Sequence, residues 1–255
     1  MRNTWVICQK ELNSYFVSPV AYLLLTMFAV IFGFFFWNSV GYFNAASLQA
    51  QMSGQATPMS VNEYVIRPLL SNISVVGLFF IPMMTMRLFA EEKRQGTIEL
   101  LATSPVRDLE IILGKWLAAV LLYAVLLLFS AINFSFLFRY GNPDWKPLAI
   151  GYLGLLLQAG GLLAIGTFIS TLTRNQIIAG AATFGVCLML WVLEWVSGYE
   201  TAAWAKVLAY MSVITHFDSF SKGVLDTKDA VFYLSMIFLG LFLTSRSLES
   251  LRWRS

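Results

Sequence analysis

The sequence predicts an all-α polytopic membrane protein with six transmembrane helices, and three observations support that prediction. Of the 255 residues, 58% are hydrophobic and only 12% are charged, whereas soluble domains carry roughly 25% charged residues. Mean hydropathy is +0.70. Several nearly uncharged runs exceed the ~18 residues that span a bilayer. We therefore expect residues 1–255 to form a single transmembrane domain.

An N-terminal helix over residues 3–17 is predicted to lie in the membrane interface before the chain turns at Ser18-Pro19. Its apolar residues recur at helical spacing and so share one face: Trp5, Cys8, Leu12, Tyr15 and Phe16. Its polar face carries Gln9, Lys10 and Asn13. An extension of the first span is disfavoured, because it would bury Lys10, Glu11 and Asn13.

The six predicted spans cover residues 19–40, 69–86, 116–138, 148–173, 176–197 and 230–244. The first run, about 22 residues long, exceeds the ~7–15 of a secretory signal, so we expect an uncleaved anchor. Pro82 should kink the second span. The fourth span contains Gln158 and small residues that allow close helix approach, namely Gly160, Gly161, Ala164 and Gly166.

The connections between spans differ in length and charge. Residues 41–68 form a polar loop in which only Glu63 and Arg67 are charged, which is typical of an outer loop. The Arg174-Asn175 turn makes spans four and five a hairpin. Residues 198–229 are too long for a turn and carry apolar residues at helical spacing. They predict two short re-entrant helices that enter the membrane from outside.

Residues 87–115 form the most charged stretch of the chain, with five of its 17 basic and five of its 14 acidic residues. Residues 88–95 should continue the second span as a helix that ends at Gly96. Thr97 can cap a further turn with an apolar knob beside Glu99. Ser104-Pro105 should open the third span, with Asp108 and Glu110 near its positive end. We interpret the stretch as a docking surface for a partner; an ordinary solvated loop is the alternative.

The distribution of basic residues predicts that both termini are cytoplasmic. With the 87–115 stretch inside, eleven Lys and Arg residues lie on the inner face and six on the outer face. This excess agrees with the positive-inside rule. The sequence therefore predicts a multi-pass protein of the cell (inner) membrane. Because its basic residues are scattered, no nucleic-acid partner is expected.

The motifs of several enzyme classes are missing from the sequence. Gly114-Lys115 is followed by Trp116 and lacks the earlier glycine of a phosphate-binding loop. The sequence has no zinc-protease, serine-hydrolase or paired intramembrane aspartate motif, and His216 is its only histidine. We therefore expect no cofactor or metal in this chain and no enzymatic activity. A charged docking loop without its own energy source suggests a motor in a separate subunit.

The outer side offers a possible substrate or partner region formed by Glu194, His216, Phe217, Asp218 and Phe220. Glu194 lies near the outer end of the fifth span, where it could contact a substrate or simply reach water. Since no nucleophile lies beside His216 and Asp218, a structural role is favoured over catalysis.

Three segments together resemble the membrane subunit, or permease, of ABC-2-type transporters, and most closely the gliding-motility-type permease branch. Residues 91–101, followed by Thr103-Ser104-Pro105, resemble the coupling segment that fits a groove on the ATPase subunit. The N-terminal helix with Ser18-Pro19 resembles the elbow helix of the family. Residues 215–224 resemble the segment of this branch before the final span.

The resemblance implies a complex of two permease chains, alike or different, with two cytoplasmic ATPase subunits that bind ATP and Mg. It places ATPase coupling on ten residues: Glu91, Glu92, Gly96, Thr97, Ile98, Glu99, Leu100, Leu101, Ser104 and Pro105. Membrane lipid is an expected partner, and an extracytoplasmic protein is a further candidate. The expected function is export of an unidentified substrate. The alternative is a membrane component through which the ATPase drives envelope or motility machinery, and an intramembrane enzyme is disfavoured.

Overall fold

The computed structural model describes residues 2–53, 60–97, 106–141, 143–197 and 203–252. Its helices, in chain order, are α1 (Arg2–Val17), α2 (Pro19–Met52), α3 (Arg67–Thr85), α4 (Ala90–Gln95), α5 (Asp108–Tyr140), α6 (Trp145–Leu172), α7 (Gln176–Ser197), α8 (Ala203–Tyr210), α9 (Val213–Ser221) and α10 (Thr227–Arg252). A π-helical turn over Asn62–Ile66 leads directly into α3. Within these ranges, six segments are long and apolar enough to cross a membrane. The predicted fold class is therefore confirmed, and the chain is a multi-pass membrane protein.

Several helices extend beyond the apolar runs that predicted them. Helix α2 continues to Met52, so the first part of the predicted 41–68 loop is helical. Helix α5 begins at Asp108, eight residues before the predicted span, and α10 runs from Thr227 to Arg252. The predicted bounds follow hydrophobicity, which falls where the chain leaves the membrane. The helices continue because alanine, glutamine and leucine beyond that point still favour a helix.

Pro82 does not end α3, which continues to Thr85 because the Met86 N–H still reaches the Pro82 carbonyl at 2.9 Å. A turn over residues 86–89 then separates α3 from α4. The predicted continuous helix over residues 88–95 is therefore wrong. The chain makes a buried turn here and starts a separate six-residue helix at Ala90.

Helix α6 lies at the centre of the bundle, where it packs against α3, α5, α7, α9 and α10. Its glycines permit this crowding. An added Cβ would lie 2.5 Å from Thr85 Oγ1 at Gly166 and 2.9 Å from Met236 Cε at Gly161. On the facing helix, a Cβ at Gly240 would lie 2.7 Å from the Ala164 carbonyl carbon. The small residues predicted to allow close approach do so towards two different helices.

The helices leave two polar ends, which we name by the short helices they carry. The α4 end comprises α1, α4, the turn Thr173–Asn175 and the C-terminal part of α10. Hydrogen bonds connect its parts, for example from Thr171 to Ser247 at 2.8 Å. The α9 end comprises α8, α9 and the connections before α3 and α6. These connections meet where the Asn62 side chain bonds both the N–H and the carbonyl of Asp144, at 3.1 and 3.2 Å.

Candidate functional site

Helix α4 is short, and its sequence fixes both of its ends. Glu91 and Glu92 occupy the first turn and Lys93 and Arg94 the last, which suits the helix dipole at each end. Gly96 ends the helix with φ of +72°, a left-handed conformation that favours glycine. The Thr97 N–H then bonds back to the Glu92 carbonyl at 3.1 Å. The prediction that Gly96 ends this helix is confirmed.

A single hydroxyl from α6 holds the start of α4. Ser170 Oγ accepts hydrogen bonds from the backbone N–H groups of Phe89 and Ala90, both at 3.1 Å. The same hydroxyl donates to the Met86 carbonyl at 3.3 Å. These partners satisfy backbone groups that the turn between α3 and α4 would otherwise leave unbonded. The start of α4 is therefore attached directly to the central helix of the bundle.

A buried lysine joins α1, α4 and α5. The Lys115 side chain is 2% exposed, and its ammonium lies 2.9 Å from Glu11 Oε1 and 2.8 Å from Glu92 Oε1. It also donates to the Leu88 carbonyl at 2.8 Å and lies 5.2 Å from the centre of the Phe89 ring. The ammonium group thus donates two hydrogen bonds, to Glu11 and to the Leu88 carbonyl, and forms an ion pair with Glu92. We call Lys115, Glu11 and Glu92 the Lys115 triad.

The triad is packed tightly enough that few rearrangements would preserve it. An added Cβ at Gly114 would lie 2.8 Å from Ile7 Cβ and 2.9 Å from the Thr4 carbonyl oxygen, so α1 lies directly on the start of α5. Glu92 Oε2 is buried and has no hydrogen-bond partner in the described part of the chain. A displacement of α4 would therefore change the surroundings of a buried charge, which is energetically expensive.

Helix α1 is attached to the same turn by a second contact. The Tyr15 hydroxyl donates to the Met84 carbonyl at 2.5 Å, and the Arg87 guanidinium lies 4.4 Å above the Tyr15 ring. Burial raises the pKa of the Tyr15 hydroxyl above its ordinary value and outweighs the opposite effect of Arg87, so the phenol stays protonated and can donate.

The predicted apolar face of α1 is partly buried and partly exposed, and the position of Glu11 needs correction. Cys8 and Tyr15 are buried, whereas Trp5 is 56% exposed, as suits an apolar side chain of an interfacial helix. Glu11 points inward, with 14% of its side chain exposed. The reason is Lys115, which supplies the buried counter-charge that the sequence pattern could not reveal.

The structure places only part of the predicted coupling set. Glu91, Glu92, Gly96 and Thr97 lie on α4 and its C-terminal cap, and Glu92 alone of these joins the triad. The remaining predicted residues, Ile98, Glu99, Leu100, Leu101, Ser104 and Pro105, lie outside the described residues. Arg107 is the N-cap of α5, so the prediction that Ser104-Pro105 opens this helix is wrong. The Glu110 carboxylate accepts a hydrogen bond from the Arg107 N–H at 3.3 Å, which fixes the start of the helix here. Asp108 and Glu110 occupy the first turn as predicted.

At the α9 end, His216 is a buried structural residue rather than an exposed one. Its Nε2 lies 2.8 Å from the Tyr210 carbonyl and its Nδ1 lies 2.7 Å from Asp229 Oδ1. Phe232 stacks on the imidazole ring at 3.9 Å between centroids. Since the carbonyl can only accept, Nε2 carries a proton, and the second bond needs another proton from the ring or the carboxyl group. The pair is neutral overall in either arrangement, which suits its burial.

Asp218 instead connects α9 to α3. Its Oδ1 lies 2.9 Å from Arg67 Nη2, and its Oδ2 pairs with Lys222. Burial raises the pKa of the Asp218 carboxyl, but hydrogen bonds and charges from Lys222 and Arg67 outweigh burial and hold the pKa below its usual range.

The other residues predicted for this region differ in how deeply they are buried. Phe217 and Phe220 are 1% and 0% exposed, and an added Cβ at Gly154 would lie 2.5 Å from Phe220 Cβ. They are therefore core residues that seat α9 on α6. Glu194 lies on another helix, in the last turn of α7, and is partly exposed. The five residues do not form one shared surface.

Sequence reasoning missed the residues that make the strongest polar contacts. Glu11, Ser170 and Asp229 were not selected, and Lys115 was counted only as a basic residue of the charged stretch. One signal was present for Lys115: it follows Ile111, Ile112 and Leu113 in a helix, so its side chain needed a counter-charge from elsewhere. Its partners are 104 and 23 positions away, and no local pattern connects them.

Comparisons with known proteins give a consistent result. The model of a family described as "ABC-2 family transporter protein" matches residues 5–244. The probable multidrug ABC transporter permease YbhR of Escherichia coli (strain K12) is 26% identical over 175 residues, which cover 66% of this chain and 44% of that protein. The protein of the same name from Escherichia coli O157:H7 matches with the same figures. The matched region thus spans less than half the length of these curated relatives.

Proposed function

The chain belongs to the ABC-2 family of transporter proteins, and from that membership we propose that it is a permease driven by ATP hydrolysis in a separate ATPase subunit. In this proposal, the permease exports a substrate whose identity is open. The relatives are named as multidrug permeases, which supports export over the alternative of driving envelope or motility machinery. Two permease chains and two ATPase subunits would form the complex, with ATP and Mg bound by the ATPases.

The observation that carries the proposal is the Lys115 triad. Helix α4 contributes Glu92, the interfacial helix α1 contributes Glu11, and the membrane-spanning helix α5 contributes Lys115. A movement imposed on α4 from outside would act on both other helices through one ammonium group. Ser170 gives α4 a second attachment to the central helix α6. These contacts form a continuous physical network, which is what coupling between sites requires.

The proposed orientation places the α4 end in the cytoplasm of a cell with an inner membrane, together with both chain termini. It is supported by the excess of basic residues on that side. Residues 98–105 would then lie against the ATPase, with Ile98, Leu100 and Leu101 packing and Glu99 setting the register.

The gliding-motility-type branch is part of the proposal and rests on the resemblance of residues 215–224. Residues 215–221 of this segment belong to α9, and the proposal leaves the end of the protein that carries α9 for contact with a substrate or an extracytoplasmic protein.

The test is ATP hydrolysis by the permease co-purified with its ATPase subunit and reconstituted in lipid. Glu92→Gln keeps the shape of the side chain but removes the charge that pairs with Lys115. We expect substrate-coupled hydrolysis to fall about five- to tenfold, a typical coupling effect. Glu249→Gln is the matched control: Glu249 lies on α10 at the same end, is not among the predicted coupling residues, and pairs with the exposed Arg246 at 2.7 Å, so coupled hydrolysis should stay unchanged.

Two outcomes would contradict the proposal at different levels. If no ATPase subunit co-purifies and added ATP causes no transport, the chain is not an ATP-driven permease. If Glu92→Gln and Glu249→Gln both couple normally in an intact complex, the permease assignment stands but the Lys115 triad is not its transmission route.

A further inference from the structure

A basic pocket opens at the α4 end, beside the Lys115 triad but separate from it. It has a volume of about 570 Å³ and is lined by Arg94, Thr173, Arg174, Asn175, Gln176 and Ile177. Arg94 belongs to the last turn of α4, and the other residues form the turn between α6 and α7 and the start of α7. The volume falls within the ~300–1,000 Å³ of small-molecule sites. Among the described residues, two guanidinium groups and no carboxylate line the pocket.

The positive charge of this pocket is not neutralised by the described part of the chain. Neither Arg94 nor Arg174 forms an ion pair with a described carboxylate. Lys93 is near enough to Arg174 for the two charges to repel each other, and its ammonium is held by the Thr171 carbonyl. The N-terminus of the 22-residue helix α7 faces the same turn and adds a partial positive charge. The pocket therefore favours an anion.

The other side of the pocket is apolar and faces away from the helix bundle. Ile177, which lines it, is 79% exposed, and its neighbours Leu172 and Ile178 are 62% and 57% exposed. These residues lie at the ends of two membrane-spanning helices, where exposed aliphatic side chains contact lipid. The site thus combines a cationic wall with an adjoining surface suited to an acyl chain.

From this combination we propose that the pocket binds an anionic phospholipid. The phosphate lies between Arg94 and Arg174, and an acyl chain runs along Ile177 and its exposed neighbours. A purely ionic ligand, such as a free phosphate or an acidic segment of another protein, would use the arginines but not the aliphatic surface. Because Arg94 belongs to α4, the bound lipid would attach α4 to the α6–α7 turn. The inference does not depend on the proposed function.

The experiment is native mass spectrometry of the full-length chain in detergent, with dioleoylphosphatidylglycerol or dioleoylphosphatidylcholine added. The wild-type protein should retain phosphatidylglycerol in preference to phosphatidylcholine. Each basic residue contributes about a fivefold change in affinity for an anionic membrane lipid. The double variant Arg94→Gln/Arg174→Gln should therefore retain phosphatidylglycerol about 25-fold more weakly and lose the preference.

Two further measurements distinguish a bound phospholipid from a free anion. Ile177→Gln should weaken phosphatidylglycerol retention while leaving any phosphate binding intact. Inorganic phosphate and the chain-free headgroup glycerophosphoglycerol should fail to displace the lipid at equal concentration. Arg246→Gln is the matched control: Arg246 lies on α10 at the same end but already pairs with Glu249 at 2.7 Å, so the lipid preference should not change.

The proposal is overturned if the wild type retains both lipids equally, or if the double variant keeps its preference while unfolding at the wild-type temperature. Displacement of the lipid by free phosphate would identify an ionic site without lipid specificity. Loss of ATPase co-purification in the double variant, with lipid retention unchanged, would assign the arginines to a protein partner instead.

Discussion

The ammonium group of Lys115 lies where α1, α4 and α5 meet, and its removal would leave two carboxylates facing each other. We expect Lys115→Met to lower the free energy of unfolding by about 3 kcal/mol, as when one partner of a buried ion pair is deleted. Denaturant unfolding in detergent measures this change. The control is Lys10→Met, since Lys10 is 68% exposed and lies 3.7 Å from the same Glu11 carboxylate; its effect should stay within about 0.5 kcal/mol. Equal effects of the two variants would exclude a special role for the buried pair.

For His216, the sequence predicted the structural role of the residue but not its hydrogen-bond partners. Its isolation from any nucleophile correctly favoured a structural role. Its partners could not be identified, because Asp229 was assigned to a connecting segment and the Tyr210 carbonyl carries no side-chain signal. Polar contacts between distant elements depend on packing geometry, which the local pattern of residues does not contain.

Among the elements, the contact between α6 and α10 depends on glycine at position 240. Gly240→Ala would force a Cβ to 2.7 Å from the Ala164 carbonyl carbon, and we expect a loss of about 1–3 kcal/mol of stability from overpacking. Gly33→Ala in α2 is the matched control, because a Cβ there meets nothing within 4 Å. That variant should be neutral or more stable by about 0.5–1 kcal/mol, through helix propensity. Thermal unfolding of both variants in the same detergent decides between these outcomes, and equal shifts would contradict the packing argument.

The tie between α9 and α3 through Asp218 should depend on pH. Because the folded state holds the Asp218 pKa below its ordinary value, the stabilisation is complete above that ordinary value and is lost as pH falls through the lowered one. The effect should be about 0.5 kcal/mol, since the carboxylate is half exposed. Protection of the α9 amides against hydrogen exchange, measured relative to the intrinsic exchange rate at each pH, should therefore fall in acid in the wild type. Asp218→Asn should already exchange faster at neutral pH and show less acid dependence. An unchanged acid dependence in that variant would assign the effect to another group.

Element boundaries were predictable where the chain changes composition sharply and less so elsewhere. The fifth span begins and ends at the predicted Gln176 and Ser197, because Arg174-Asn175 precedes it and Gly198 follows. Helix α2 passes its predicted end at residue 40 by a further twelve positions, because its sequence becomes less hydrophobic there but contains no proline. The turn before α4 was missed because it depends on Ser170, a residue of another helix.

For the whole molecule, orientation is the property on which the proposed function depends, and cysteine labelling tests it. Cys8 and Cys187 are both buried. Burial, assisted by the Glu11 charge, also raises the pKa of the Cys8 thiol, so the wild type should label weakly. On intact cells, a membrane-impermeant maleimide should label Leu225→Cys, at a residue 53% exposed at the α9 end. It should label Thr97→Cys only after the membrane is opened. The opposite pattern would place α4 outside and remove the basis for an intracellular ATPase partner.

The length of α2 has a consequence for the side of the membrane opposite α4. At 1.5 Å per residue, its 34 residues reach about 51 Å, whereas the hydrocarbon layer is about 30 Å thick. Containing the whole helix would require a lean of about 54°, beyond the usual range of about 0–40°. Its distal turns, including the 90% exposed Met52, must therefore extend beyond the hydrocarbon layer. A molecule that approaches the protein from that side meets these turns before it reaches the hydrocarbon layer.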